Sequence, residues 1–334
     1  MSEPSIAIIT RTKNRALLLE RTIMSVLAQT REDWTHVIVN DGGDPAPVEA
    51  LVARHEAAYA GRLRVIHNPL SVGMEAASNI GIRASESRYL TIFDDDDSWS
   101  PYFLETLIKE LERRQSRFRS VRGIICHSMV VRERIEEGRI LFDSMYPFND
   151  WMQSFFVDLD RLAQSNSFIP NAFIFEREAA VEIGLFDAEL PVLGDWDFNL
   201  RFCMRYDIAV IQELLSFYHQ RPSAQGADGN SVIAMIGTHQ QYRELLKNRW
   251  LRKDLSSWGL GLRIAQHGDR SGTDQKTQPN GEFPKKKKGK RTQFLRGVRR
   301  LLTGRSKTTF GQTFRVFRSA GFKGLRGTLR DIGS

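Results

Sequence analysis

Short apolar runs alternate with segments of helical periodicity between residues 5 and 111, and this alternation constrains the fold more than any other feature. The apolar runs predict strands at 5–9, 36–39, 63–66 and 89–93. The periodic segments predict helices at 19–27, 50–60, 73–84 and 101–111, the last with Ser100 as its cap and Pro101 in its first position. Strands that are apolar throughout are typical of a parallel sheet covered on both faces. The expected fold is therefore α/β, with a Rossmann-like, mostly parallel sheet flanked by helices.

Polar clusters directly follow three of the four predicted strands. They are Thr10-Arg11, Asn40-Asp41 and the acidic run Asp94–Asp97. Ligands of such sheets bind outside the carboxyl ends of the strands, so a ligand site is expected at this edge. Four consecutive aspartates are by themselves most simply a solvated turn. Their place at a strand end favours a second interpretation, a Mg²⁺ or Mn²⁺ ion held by carboxylates and substrate phosphates.

The second half of the chain has a different pattern. A hairpin is predicted from 123–131 and 140–142, a strand at 167–176, a helix at 195–205, a strand at 208–211 and a helix at 232–250. A further acidic cluster, Asp195-Trp196-Asp197, begins the helix at 195. Asp195 is either the cap of that helix or a general base beside an aromatic platform for an acceptor.

Composition and absent motifs exclude several classes of protein. The chain has 334 residues and two cysteines, with no CxxC motif, so we expect neither a disulfide framework nor a structural zinc site, and a reducing compartment. We also expect no secretory signal and no membrane-spanning run. The sequence lacks the motifs GxxxxGK[ST], GxSxG and HExxH, and no GxGxxG follows a strand. This disfavours P-loop, dinucleotide, serine hydrolase and zincin chemistry.

Several short motifs occur in a fixed order along the chain. They are IITRTKNR at 8–15, VNDGG at 39–43, NPLSVG and ASNIGI at 68–73 and 77–82, FDDDDSWSP at 93–101, and GLFDAEL and GDWDF at 184–190 and 194–198. Their order and spacing over about residues 4–221 resemble the family 2 glycosyltransferases, which have the GT-A fold. The resemblance implies an inverting, metal-dependent transfer of a sugar from a UDP- or dTDP-sugar to a hydroxyl of a saccharide or lipid-linked acceptor. Surface polysaccharide or glycolipid synthesis is the implied setting.

The resemblance also implies roles for individual residues. The expected nucleotide-binding residues are Thr10, Arg11, Asp41, Asn79, Asp94 and Asp95. The expected metal ligands, for Mn²⁺ or Mg²⁺, are Asp96 and His219, and the expected catalytic base is Asp195. The expected acceptor contacts are Trp196, Asp197 and Trp99, for which core packing is the alternative.

Two departures from the family's pattern bear on the site. Gly194 stands where the family usually has the Glu of a Glu-Asp pair, so one support for the base or the acceptor is missing. The opening loop is unusually basic because of Arg11 and Lys13. A sugar nucleotidyltransferase and a catalytically dead GT-A-like binding module therefore remain the alternatives.

Charge divides the chain unevenly. The net charge is +8, and residues 285–334 contribute +15, which leaves −7 for residues 1–284. The predicted domains are a glycosyltransferase domain at 1–222, a helical extension at 223–266, a linker at 267–284 and a basic amphipathic helical tail at 285–334. Basic residues interleaved with phenylalanine and leucine favour an anionic membrane surface over nucleic acid as the partner of the tail. The enzyme is thus expected in the cytoplasm, peripheral on the inner face of the membrane.

Overall fold

The computed structural model describes residues 5–224, 226–230 and 235–257. They divide into two compact units. The first comprises the chain up to Leu162 together with Asn166–Ile236, and the second comprises Ala163–Ser165 and the described residues from Gly237 onward. Among the described residues, none of the helices has the length and hydropathy needed to cross a membrane. The predicted linker and basic tail lie outside the described residues.

One sheet organises the first unit, and nine strands of the described chain belong to it. They are β1 (Ile6–Thr12), β2 (Trp34–Asp41), β3 (Leu63–Asn68), β4 (Tyr89–Ile92), β5 (Ser98–Trp99), β6 (Val121–Glu136), β7 (Arg139–Pro147), β8 (Phe173–Glu176) and β9 (Asp207–Gln220). Their order across the sheet is β3–β2–β1–β4–β8–β6–β9–β5, and β7 pairs with β6.

The helices described are α1 (Ala16–Leu27), α2 (Pro45–Tyr59), α3 (Met74–Arg83), α4 (Phe103–Gln115), α5 (Leu159–Gln164), α6 (Arg177–Glu182), α7 (Gly194–Cys203) and α8 (Ile236–Ser257). Two 3₁₀ turns lie at Pro170–Ala172 and Gly226–Asp228. The second unit contains α8, in which Arg243 donates to the carbonyl oxygen of Gln164 at 2.8 Å. α8 falls within the predicted helical extension.

The first four strands, β1 to β4, form the parallel layer that the sequence predicted. β2 pairs in parallel with β1 and β3, and β1 pairs in parallel with β4. The side chains of Ile6–Ile9 are fully buried because β1 lies inside the sheet with both faces covered. Ile9 is level with Ile92, so the end of β1 lies beside the start of the acidic run.

Strands of mixed direction extend this layer. β8 is antiparallel to both β4 and β6, β6 and β7 form the predicted hairpin, and β9 runs parallel to β6. β9 continues well beyond its predicted end at Ile211, and this extension places Tyr218 and His219 beside the end of the hairpin.

Several predicted boundaries are wrong, and the helix predicted at 50–60 begins already at Pro45. The predicted strand at 167–176 begins only at Phe173, since Pro170 starts a 3₁₀ turn and has no N–H for a strand ladder. The helix predicted from Pro101 begins at Phe103.

Candidate active site

Arginines pair with the acidic run after β4. Arg11, at the end of β1, pairs with Asp94. Arg15, which precedes α1, donates to Asp95 Oδ1 at 2.7 Å and to Asp96 Oδ2 at 2.9 Å. Asp94 has 29 % of its side chain exposed, while Asp95 and Asp96 are buried. The run is therefore a charge-balanced wall of the site rather than the solvated turn considered above.

Burial and arginine charge act in opposite directions on these carboxyls. Burial raises the pKa of Asp95 to about 6, although Arg15 opposes it. At Asp96 the charges of Arg15 and Arg221 outweigh burial and lower the pKa, so this carboxylate is ionised. Burial together with the neighbouring Asp96 raises the pKa of Asp97 well above its usual range. The run therefore combines ionised and protonated carboxyls.

A buried glutamate on β6 holds a second group of cations. Glu133 accepts hydrogen bonds from Arg21 on α1 at 2.7 and 2.9 Å and from Arg221 at 2.9 Å. His219 Nδ1 lies 3.0 Å from Glu133, and its Nε2 lies 2.8 Å from Ser98 Oγ. Arg221 also contacts Asp96, so it links Glu133 to the acidic run.

The predicted metal ligands have protein partners. Both ring nitrogens of His219 contact protein groups, and burial together with Arg21 lowers its pKa. Asp96 Oδ2 accepts from Arg15, Arg221 and Asn230. No group of three or more His, Cys, Asp or Glu that could hold a metal occurs in the part of the chain that the structure describes. In this structure His219 is a partner of Glu133, and its assignment as a metal ligand stays a prediction.

Asp41 organises the loop that follows β3. Its Oδ1 accepts from Asn68 Nδ2 at 2.8 Å and Val72 N at 2.9 Å, and its Oδ2 accepts from Ser71 Oγ at 2.7 Å and Gly73 N at 3.0 Å. These bonds outweigh the effect of burial and lower the pKa of Asp41. A carboxylate has about four accepting positions, so the predicted contact with a nucleotide base requires one of these donors to leave.

Thr10 and Asn79 do not face the site. The Thr10 hydroxyl lies 2.9 Å from Nε2 of the buried His36, whose Nδ1 lies 2.8 Å from the Tyr59 hydroxyl. Asn79 forms two hydrogen bonds with the backbone of Phe186, at 2.8 and 3.1 Å. Both side chains have hydrogen-bond partners within the fold, and their contact with the nucleotide stays a prediction.

Asp195 lies in the first turn of α7, where Asn166 orients it. Asn166 Nδ2 donates to Asp195 Oδ2 at 2.7 Å, and Asn199 Nδ2 donates to Asn166 Oδ1 at 3.2 Å. The residue that caps α7 is Leu193, in the left-handed region with φ at 63°, and its side chain makes no capping bond. Asp195 is therefore not the cap, and a strained residue precedes it, as is common at functional sites.

The predicted acceptor contacts pack inside the protein. Trp99 stacks between Phe93 and Phe103, with ring centroids 3.6 and 4.3 Å away. Trp196 is buried and donates to the Leu162 carbonyl oxygen at 2.6 Å. The alternative of core packing describes both rings.

Asp197 also has a structural partner. It pairs with Arg201 at 2.7 Å, and Arg201 in turn donates to the carbonyl oxygens of Ile183 and Leu185 at 2.6 and 2.8 Å. This pair anchors the loop before α7, and the contact of Asp197 with the acceptor stays a prediction.

An open cavity of about 240 Å³ lies next to Asn166. It is lined by Trp151, Met152, Gln153, Ser154, Asp158, Arg161 and Ser167. Trp151 is exposed and stacks with Arg161, 4.9 Å from ring centroid to guanidinium carbon. An exposed aromatic ring with polar neighbours is suited to a sugar ring.

Sequence reasoning missed Arg15, Arg21 and Glu133. Glu133 gave no clear signal, because it lies between Arg132 and Arg134 after the apolar run of β6 has ended. Arg21 had no signal either, since an arginine on an amphipathic helix is usually solvated, and Arg15 lies just before that helix.

Comparisons of the sequence find related glycosyltransferases. Residues 7–153 match the model of the family described as Glycosyl transferase family 2. The uncharacterized glycosyltransferase YwdF of Bacillus subtilis is 28% identical over 204 residues, which cover 61% of this chain and 69% of the relative. The putative colanic acid biosynthesis glycosyl transferase WcaA of Escherichia coli is 28% identical over 206 residues, which cover 61% of this chain and 68% of the relative.

A solved structure shows the same fold. The mannosyltransferase PcManGT from Pyrobaculum calidifontis, in complex with GDP-Man and Mn²⁺, superimposes with a TM-score of 0.50 at 17% identity. The match covers 68% of this chain and 59% of that protein, so the chain spans less than two thirds of it. The GT-A-type fold that the motifs implied is confirmed.

Proposed function

Residues 7–153 belong to glycosyl transferase family 2, and from this premise we propose that the chain is an inverting transferase of a sugar from a nucleoside-diphosphate donor to a hydroxyl group. One observation carries the proposal: Tyr218 lies within electrostatic reach of both the acidic run and Asp195, which are about a hundred residues apart in sequence. Burial and then the charges of Asp97, Asp96 and Asp195 raise the pKa of Tyr218. A general base thus lies near the strand end at which the donor is expected.

The proposed role of Asp195 is to take the proton of the acceptor hydroxyl. Asn166 fixes one oxygen of this carboxylate, which orients the side chain for that transfer. The acceptor oxygen then attacks the anomeric carbon on the face opposite the diphosphate, which inverts its configuration.

The proposed donor site lies between Arg11, Arg15 and the acidic run. Guanidinium groups neutralise diphosphate oxygens well because they donate in pairs. A divalent cation is compatible with this wall, because one or two carboxylates suffice for Mg²⁺ or Mn²⁺ when phosphates complete the shell. Asp94 and Asp96 would hold it, and it would neutralise charge on the leaving diphosphate. The complex of PcManGT with GDP-Man and Mn²⁺ supports this class of donor and cofactor.

The proposed acceptor is a saccharide or a lipid-linked saccharide. The cavity beside Asn166 offers an exposed indole at Trp151 and charged groups at Asp158 and Arg161. The name of the relative WcaA, which refers to colanic acid biosynthesis, supports a polysaccharide pathway. The basic tail supports a membrane location for the acceptor, at the inner face of the membrane.

The test is a screen of UDP-, dTDP- and GDP-sugars with Mn²⁺, Mg²⁺ or chelator, in which the released nucleotide is measured. Release of nucleoside diphosphate supports the proposal, while pyrophosphate would instead indicate a nucleotidyltransferase. Asp195→Asn should lower kcat by roughly 10²-fold or more and leave donor affinity unchanged, because a general base acts only in the chemical step. Asp207→Asn is the matched control and should behave as wild type. Asp207 begins β9 and lies at the end of that strand remote from Tyr218. Unchanged turnover in Asp195→Asn would remove this residue from the mechanism.

A further inference from the structure

The helix that carries Asp195 begins with a glycine whose side-chain space is already filled. A Cβ added at Gly194 would collide with Cγ, Cδ and Oε1 of Glu75, on α3. The φ angle of Gly194 lies outside the left-handed region, so its backbone conformation does not require glycine. A side chain at this position would displace the Glu75 carboxyl, which occupies the space beside the backbone.

Glu75 is an unusual buried acid. Only 4 % of the residue is exposed, and its Oε2 atom has no hydrogen-bond partner. Buried polar atoms are nearly always paired in proteins, so an unpaired carboxyl oxygen beside a proposed catalytic residue points to a function. A pure packing position would be filled more stably by an apolar side chain.

The charged groups facing Glu75 come from β1, from α7 and from the loop before α7. They are Arg11, Asp195, Asp197 and Asp187. Burial, and then the three aspartates, raise the pKa of Glu75 to about 7, although Arg11 opposes them. Neighbouring carboxyls do not all ionise together at neutral pH, and the more buried one retains its proton.

We propose that Glu75 is a positioning residue for Asp195: it occupies the side-chain space of position 194, keeps the proton of this carboxyl pair on its unpaired Oε2 and donates it to Asp195 as a hydrogen bond when the substrates bind. Asp195 then stays ionised and can accept the proton of the acceptor hydroxyl. This inference rests on the proposed function. It also accounts for Gly194, because a second acidic side chain supplied from α3 leaves no room for one at the start of α7.

The first experiment measures kcat against pH for wild type and Glu75→Gln, with the donor found in the screen. The wild-type rate should fall as the pH rises through about 7, because ionised Glu75 no longer donates. Glu75→Gln keeps a donor that cannot ionise, so its rate should stay level above pH 7. If the two pH profiles coincide, the proposal is overturned while the transferase function stands. A wild-type protein inactive with every donor overturns the proposed function instead, and the inference with it.

The second experiment moves the carboxyl group from Glu75 on α3 to position 194 on α7. Glu75→Ala should lower kcat roughly tenfold or more, the effect of losing a hydrogen bond to a charged group. Gly194→Glu should lower the melting temperature, because its side chain collides with Glu75. The double variant Glu75→Ala with Gly194→Glu should recover both stability and much of kcat. If the losses of stability and kcat are additive in the double variant, the two side chains do not share one space, and the proposal is rejected.

Gly81→Ala is the matched control for a collision on α3. A Cβ at Gly81 would meet Ile9 in the core, away from Asp195. This variant should therefore lose stability but keep the wild-type shape of the pH profile. A changed pH profile in Gly81→Ala would show that general loosening of α3 explains the Glu75 results, and would overturn the proposal.

Discussion

At the scale of single residues, arginines decide how the acidic run is tolerated. Asp96 is buried and contacts both Arg15 and Arg221, the second of which is completely buried. Removing one member of a buried ion pair leaves the other charge uncompensated, which is more costly than the pair was worth. We therefore expect the loss of one of these aspartates to destabilise the protein, although four neighbouring carboxylates would repel one another without the arginines.

Asp96→Asn should abolish activity and also destabilise the fold, by about 3 kcal/mol from the uncompensated arginines. Because the folded pKa of Asp96 is lowered, this stabilisation is present above the unfolded pKa and disappears as the pH falls through the folded one. Urea unfolding at several pH values measures both effects. Asp94→Asn, more exposed and paired with one arginine, is the control and should lose only about 1 kcal/mol. Equal stability of Asp96→Asn and wild type at pH 7 would contradict this expectation.

Glu75 predicts the opposite dependence on pH. Its folded pKa of about 7 exceeds the ordinary 4.5, so its contribution to stability is complete below pH 4.5 and is lost as the pH rises to about 7. Relative to wild type, Glu75→Gln should therefore gain roughly 3 kcal/mol over this interval. Chemical denaturation across the interval tests it, with Glu178→Gln on an exposed position of α6 as control. Parallel stability curves for Glu75→Gln and wild type would refute the raised pKa.

At the scale of elements, the edge of the sheet is shaped by loops that side chains hold in place. Asn79 fixes the backbone at Phe186, and Arg201 fixes the backbone at Ile183 and Leu185. The loop before α7 is thereby attached to α3 on one side and to α7 on the other. Several residues that resemble nucleotide or acceptor contacts thus act by shaping the loops around the site.

Asp41→Ala should release the loop after β3, since the carboxylate that accepts four hydrogen bonds from Asn68–Gly73 is lost. Faster proteolysis near the exposed Leu70 and a weaker affinity for nucleoside diphosphate should appear together. Limited proteolysis and calorimetry measure the two effects. Asp44→Ala removes the cap of α2 nearby and should cost about 1 kcal/mol without opening the loop. Weaker affinity with unchanged proteolysis would instead assign Asp41 to a direct base contact.

At the scale of the whole molecule, charge is distributed unevenly between an acidic body and a basic tail, for which we propose catalysis and membrane binding, respectively. Residues 1–284 carry −7 and residues 285–334 carry +15. An anionic membrane would repel an acidic body, so the proposed attachment would depend on the tail alone. Each basic residue close to such a surface contributes about 1 kcal/mol, and apolar side chains add to this by burial.

Truncation after Pro284 should abolish binding to anionic liposomes and leave donor hydrolysis in solution unchanged. Flotation with anionic and with neutral vesicles measures the binding. A full-length variant with Phe294, Leu301 and Phe310 changed to serine keeps the positive charge of the tail. It therefore distinguishes membrane binding from nucleic acid binding by the tail. It should bind vesicles weakly if the tail enters a membrane surface, and nucleic acid binding would be unaffected by these changes. Undiminished flotation of the truncated protein would reject the membrane role.

The sequence alone determined the parallel layer, the helices that cover it and the edge at which the acidic run lies. These features depend on local periodicity and on the rule that parallel strands end at one edge, so they can be inferred from nearby residues. Residues 167–172 do not form the strand that was predicted for them, because Pro170 prevents a strand ladder there.

The tertiary structure alone decided which partners the charged side chains have. Arg15, Arg21 and Arg221 meet Asp96 and Glu133 across more than eighty residues of chain. Nothing in a local pattern records such a meeting, because a buried charge is stabilised by whichever opposite charge the fold brings within hydrogen-bond distance. The same holds for Glu75 and Gly194. From the sequence, a glycine indicates only that the backbone can adopt more conformations. The packing of α3 against α7 shows that Gly194 leaves room for a carboxyl group.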